Sequence, residues 1–192
     1  EWEARRGGVR SRSGNTSRQW RGMARRADNP GSAVDPRIER TYQHCRGDLR
    51  DICRAARPDA PVLLCTVATN LKDSAPFASQ HRGDLAAEDL ARWQQHYESA
   101  VTLQNEGEYT HAIEAYLAGA AIDDTFADMH FRLARCLEAT QAFDQAQEHY
   151  RRARDLDVVR FRADTRITAI IRALARRPQD PDPDLGAVHR PF

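Results

Sequence analysis

The sequence predicts a mostly α-helical chain: two helical hairpins and a C-terminal capping helix, preceded by a helix-strand fragment of an α/β domain. Three observations carry that expectation. From about residue 85 onward, apolar residues recur at steps of three and four, the spacing of one helix face. Within that stretch the sequence repeats at an offset of 34: Tyr109 with Phe143, Ala112 with Ala146, Tyr116 with Tyr150, and Ile122-Asp123 with Leu156-Asp157. Before it, Pro61-Val62-Leu63-Leu64-Cys65-Thr66-Val67 is a short unbroken β-prone run, as in a strand covered on both faces.

The elements follow in chain order. Residues 1–34 are rich in Arg, Gly and Ser, lack apolar periodicity, and read as a disordered basic arm. Asp35 at the N-cap and Pro36 at the first helical position start a helix, because Pro gives up no needed donor there. Ile38, Tyr42, Cys45, Leu49, Ile52 and Cys53 line one face of it, and Arg57-Pro58-Asp59 ends it. Residues 35–84 thus read as helix, strand and loop, the loop following the strand's carboxyl end where open α/β sheets place ligand-binding groups. Residues 85–176 hold the hairpins and the capping helix. Ala100, Ala112, Ala134 and Ala146 are small enough for helices to approach closely, and Leu103, Tyr116, Leu137 and Tyr150 fill the space between hairpins. Ala115 lies off that contact. Tyr109, Tyr116, Phe126, Phe131, Phe143, Tyr150 and Phe161 share helical spacing and read as core. Ile167, Ile170, Ile171 and Leu174 give a helix over 161–176 one apolar face to cap the open end. Residues 177–192 form an extended Pro/Asp-rich tail.

Composition bounds the function. Of 192 residues, 41% are hydrophobic and 30% charged, which suits one ordinary globular domain. No run approaches the roughly 18 apolar residues of a membrane span. No secretory h-region is visible, so the default compartment is the cytoplasm, with Glu1 not taken as the native start. Residues 1–26 hold eight Arg against Glu1 and Glu3, a local excess of +6 in a chain of net charge +1. Such an arm can meet nucleic acid or an acidic surface. Lys72 is however the only lysine among 29 basic residues, which points to coding bias, and nucleic acid is not the favoured partner. Cys45, Cys53, Cys65 and Cys136 show no C-x-x-C pair and read as packed thiols. Seven His form no metal-type array, so neither a metal nor a cofactor is expected.

The run Gly107-Glu108-Tyr109-Thr110-His111-Ala112-Ile113-Glu114-Ala115-Tyr116 resembles the turn and second helix of tetratricopeptide repeats, whose period is about 34 residues. Departures are His96 and His130 at the early aromatic of each first helix, and Asp124 and Val158 at the closing Pro. Gly119 also replaces the usual Ala, which Ala153 keeps. Two further groups are similar to the carboxyl-terminal part of bacterial SGNH/GDSL-type hydrolase-like proteins that carry such repeats. They are Asn70-Leu71-Lys72-Asp73 with Ala75-Pro76-Phe77, and Arg154-Asp155-Leu156-Asp157 with Arg160-Phe161-Arg162-Ala163. That resemblance implies an ester hydrolase using a Gly-Asp-Ser nucleophile and an Asp-x-x-His base. Neither block is present: Gly47-Asp48-Leu49 and Gly83-Asp84-Leu85 lack the Ser, and His189 has no Asp three positions before it. The chain is expected to be a fragment without catalytic residues, its sheet lying upstream of residue 1.

Three functions compete. The first is a protein-interaction scaffold. The repeat resemblance implies a concave groove lined by Gln94, Tyr97, Val101, Gln104 and Asn105 from one first helix, and Asp128, Phe131, Arg135 and Glu138 from the other. That set suits an extended peptide or a partner protein. The second is an ester hydrolase completed by blocks outside this chain. The third is a structural appendage packing on the hydrolase sheet. Asn70 and Asp73 can line a pocket at the strand end, but their type and spacing favour capping the local turn.

Overall fold

A computed structural model describes residues 36–56 and 62–176. They form α1 (Pro36–Ala56), α2 (Ala87–Asn105), α3 (Tyr109–Ile122), α4 (Ala127–Ala139), α5 (Phe143–Leu156) and α6 (Thr165–Ala175). The expectations for 1–35, for the Pro58 turn and for the tail 177–192 lie outside the described residues. Among the described residues there is no strand, and no helix is long and apolar enough to cross a membrane.

Helix α2 packs on α3, α4 packs on α5, and α3 joins the two hairpins by lying against α4. The 34-residue period is physical as well as textual, because the inter-helix turns share the same closing bonds. The first hairpin turns at Gly107 (φ +83°) and the second, 34 residues on, at Gln141 (φ +64°). Gly107 N–H donates to Gln104 O and Glu108 N–H to Leu103 O. Gln141 N–H donates to Glu138 O and Ala142 N–H to Leu137 O in the same pattern. These bonds satisfy the orphan carbonyls of a helix that ends on a left-handed residue. Glycine adopts that conformation freely, whereas at Gln141 it costs about 1–2 kcal/mol.

The hairpins share one core. Ala100, Ala112 and Ala134 have no exposed surface and Ala146 almost none, which holds the paired helices at close range. Tyr116 and Tyr150 are buried beside them, and each hydroxyl donates back to the first helix of its own hairpin. Tyr116 reaches Gln104 at 2.7 Å, and Tyr150 reaches Glu138 at 3.0 Å. A second, smaller cluster joins Tyr42 and partly buried Ile38, Leu49 and Leu64 to Ile170 and Leu174 of α6. There Tyr42 donates its hydroxyl hydrogen to Asp164, which also accepts from Arg160 at 2.8 Å and caps α6 through Ile167 N–H at 2.9 Å.

Four expectations are corrected. The run 62–67 is irregular chain rather than a strand. Leu63 and Val67 stand out in solvent while Leu64 enters the small cluster, since a lone strand has no ladder to complete. Cys65 is consequently exposed, whereas Cys53 and Cys136 are buried and Cys45 half-buried. The apolar face of α6 meets α1, so this helix closes the two flanks of the chain on each other instead of serving as a cap for the last hairpin alone. Finally Tyr109, Phe143 and Phe161 are exposed, the first two because they sit in the opening turn of α3 and α5, beyond the partner helix.

Ala112→Leu or Ala146→Leu should each cost about 1–3 kcal/mol by overpacking, seen as a fall in thermal midpoint of about 4–8 °C per kcal/mol. Ala115 is partly buried against the core and is unsuited as a control, but Ala121 is exposed on the same helix. Ala121→Leu should stay within about 0.5 kcal/mol of wild type. Equal losses at all three sites, followed by circular dichroism, would show that the close contact lies elsewhere.

Candidate binding groove

The first helices of the hairpins, α2 and α4, present the residues expected to line a groove, and the structure sorts them. Gln94, Asn105 and Arg135 are exposed; Tyr97, Val101, Gln104, Asp128 and Glu138 are half-buried; Phe131 is buried against Tyr150 at 5.5 Å and belongs to the core. The two helices are tied by a polar bridge. Tyr97 donates its hydroxyl hydrogen to Asp128 at 2.5 Å, and Arg132 donates to the same carboxylate at 2.6 Å. Burial and the Asp128 carboxylate push the Tyr97 hydroxyl up to about 12. Trp93 stacks on Tyr97 at 4.9 Å and donates its indole hydrogen to Asp123 O at 3.0 Å.

Sequence reasoning missed what lies beside these helices. Residues 71–81 cross from Glu138, near the carboxyl end of α4, to Asp128, near its amino end, in irregular chain that bends at Lys72, Asp73 and Phe77. Lys72 pairs with Glu138 at 2.5 Å, which together with the Tyr150 hydroxyl holds that carboxyl below its usual range. Arg162 donates to Ser74 O at 2.6 Å and Ala75 O at 3.4 Å. Phe77 N–H and Ala78 N–H donate to Asp157 at 3.0 and 3.3 Å, and Ala78 O accepts from Val158 N–H at 3.2 Å. Ser79 Oγ accepts from Asp128 N–H at 2.8 Å. That amide is an orphan donor of the first turn of α4, whose own N-cap, Phe126, offers no side-chain acceptor, so the segment caps the helix from outside. His81 ends the run. Its ring stacks on Phe126 at 4.6 Å, meets Trp93 edge-on at 4.4 Å, and its Nδ1 lies 2.7 Å from Asp123.

Asp123 and Asp157 are therefore equivalent anchors, one after each hairpin. Both are almost fully buried. Each accepts from the amide two residues on, Thr125 N–H or Val159 N–H, at 3.0 Å. Burial alone would raise Asp123, but hydrogen bonds from Thr125 and His81 outweigh it and hold the carboxyl below its ordinary value. The only sequence signal for these anchors was their place in the 34-residue match. Asn70 and Asp73, by contrast, bond each other across the local turn, Asp73 N–H to Asn70 Oδ1 at 3.0 Å and Asn70 Nδ2 to Asp73 at 3.1 Å.

Among the described residues no group of three or more His, Cys, Asp or Glu is placed to hold a metal ion. His130 of α4 is buried beside His149. Its Nε2–H donates to Asp124 O at 2.8 Å, which leaves Nδ1 to accept from His149 Nδ1–H at 3.0 Å. His130 cannot gain a proton at Nδ1 without losing the bond it accepts from His149. Burial, with Arg152 and His149 adding repulsion, pushes His130 down to about 4, and burial likewise lowers His149. No protein-family model, curated protein or solved structure matches the chain.

The imidazole pair makes stability pH-dependent. The folded His130 titrates below its unfolded value, so the unfolded chain binds the extra proton and stability falls as pH drops from about 6.5 to about 4. Between pH 7 and pH 5 this amounts to about 2 kcal/mol. Urea unfolding should show that loss in the wild-type chain and a flatter profile in His130→Phe, whatever its absolute stability. Parallel profiles for the two would contradict the assignment.

Proposed function

We propose that this chain is a protein-interaction module of the tetratricopeptide type, its α2–α5 hairpins presenting a groove along α2 and α4 to an extended peptide or partner segment. The observation that carries this reading is the course of residues 71–81 beside the hairpins. Its ends meet Glu138 and the Asp128 amide of α4, and main-chain groups of 74, 75, 77 and 78 find partners in Arg162, Asp157 and Val158, which follow α5. A surface that meets one stretch of main chain with fixed donors and acceptors has the chemistry to meet another. The recurrence of the turns' closing bonds at 34 residues supports the family resemblance. The exposed Gln94, Asn105 and Arg135 offer polar contacts for side chains of the incoming segment. The hydrolase resemblance of residues 70–77 and 154–163 supports no step of chemistry here, because these stretches hold turn, segment and anchor contacts instead.

A random linear-peptide display library panned against the full chain tests the reading. Enriched peptides should bind the wild type in solution, and Gln94→Ala with Arg135→Glu should weaken them at least about tenfold while leaving the thermal midpoint unchanged. No enrichment, or affinities indifferent to those substitutions, would count against the groove.

A further inference from the structure

We propose that residues 71–81 are an intrinsic ligand of the groove, a displaceable strap, and that the external partner is an extended peptide of the same chemistry that competes with it. The inference rests on the peptide-binding reading above and adds the occupant and its pattern. The strap's side chains place a cation at Glu138, a hydroxyl seven residues later at the Asp128 amide, and an imidazole two further on between Phe126 and Trp93. Between the cation and the hydroxyl its hydrogen bonds to Arg162, Asp157 and Val158 are made by main chain, and the Phe77 ring adds contacts with Phe161 and Arg162. An extended segment with Lys or Arg, Ser or Thr seven places on, and His two places after that satisfies the same partners.

Three features make the strap releasable rather than integral. Its apolar contacts are confined to its two ends, Leu71 against the hairpin core and His81 against Phe126 and Trp93; between them Phe77 turns outward against Phe161 and is 63% exposed, and the Lys72 side chain is exposed. Segments with few buried apolar contacts open first. When the strap leaves, Asp157 keeps Val159 and Arg162 and Asp123 keeps Thr125 on Oδ1, while Asp123 Oδ2 passes from His81 to the imidazole of the incoming peptide. The connection from His81 to α2 is short and exposed at Arg82, Gly83 and Asp84, with open space around Gly83, so it can swing without repacking.

The test uses the full chain and a fluorescent peptide of residues 70–82. The peptide should bind wild type weakly, and at least about tenfold more tightly to Lys72→Ala/His81→Ala, whose own strap is loosened. Adding Glu138→Ala should reverse most of that gain. In the wild type, amides of Phe77, Ala78 and Val158 should exchange at least about tenfold faster than those of Leu133 and Tyr150, a result that does not depend on any variant folding. Equal peptide affinity for both chains, or strap amides exchanging as slowly as the core, would overturn the inference. Library peptides that still bind would then leave the interaction reading standing. Failure of library peptides on both the wild-type and the strap-loosened chain would remove that reading as well.

Discussion

A buried carboxylate is the constraint on which the arrangement depends. Asp123 and Asp157 stand at the same point of their hairpins, where the second helix ends, and both are withdrawn from water. An ionised group in that position is tolerable only when its oxygens are hydrogen-bonded. Each meets that demand partly from its own loop, by taking the amide two residues on, which fixes the angle at which the chain leaves the hairpin. The rest comes from Arg162 on Asp157 and from the segment 77–81, through the Phe77 and Ala78 amides on Asp157 and His81 on Asp123. The path of that segment, the cap on α4 and the aromatic seat of His81 are consequences of satisfying two carboxylates.

The same logic governs the flanks of the hairpins. Asp164, also buried, gathers Tyr42, Arg160 and the Ile167 amide, and so joins the helix that precedes the hairpins to the helix that follows them. Burial and the neighbouring Asp164 raise the Tyr42 hydroxyl well above its ordinary value, which keeps it a donor. Hydrophobic contact there is modest, with Tyr42, Ile170 and Leu174 as the buried members, so the polar cluster sets the geometry that packing alone would leave loose.

What the sequence revealed was local and periodic. The hairpin helices, their small-residue contacts at Ala100, Ala112, Ala134 and Ala146, and the turn at Gly107 all leave a mark every three, four or 34 residues. The turn at Gln141 was legible only through its counterpart, since a glutamine gives no sign of left-handed backbone. The run 62–67 misled because unbroken apolarity is shared by buried strands and by irregular chain that sends one residue, Leu64, into a distant cluster. The segment 71–81 was invisible for a deeper reason. Its hydrogen bonds to the hairpins and to the chain after them span 42 to 88 residues and run largely through main-chain groups, which every sequence possesses. Of the expected groove residues, Asp128 and Glu138 do face this segment, while Phe131 reads as core because its helical position turns it toward Tyr150.

The central claim is that the buried anchors and the segment 77–81 stabilise each other. A double-mutant cycle measures it most directly: His81→Ala, Asp123→Asn and the double variant, each unfolded in urea at pH 7. Groups in direct contact within one network typically couple by about 0.5–3 kcal/mol. The account predicts a coupling of about 1 kcal/mol or more, with the double variant losing less than the sum of the single losses. Additive losses would contradict it, because His81 and Asp123 would then contribute to the fold independently.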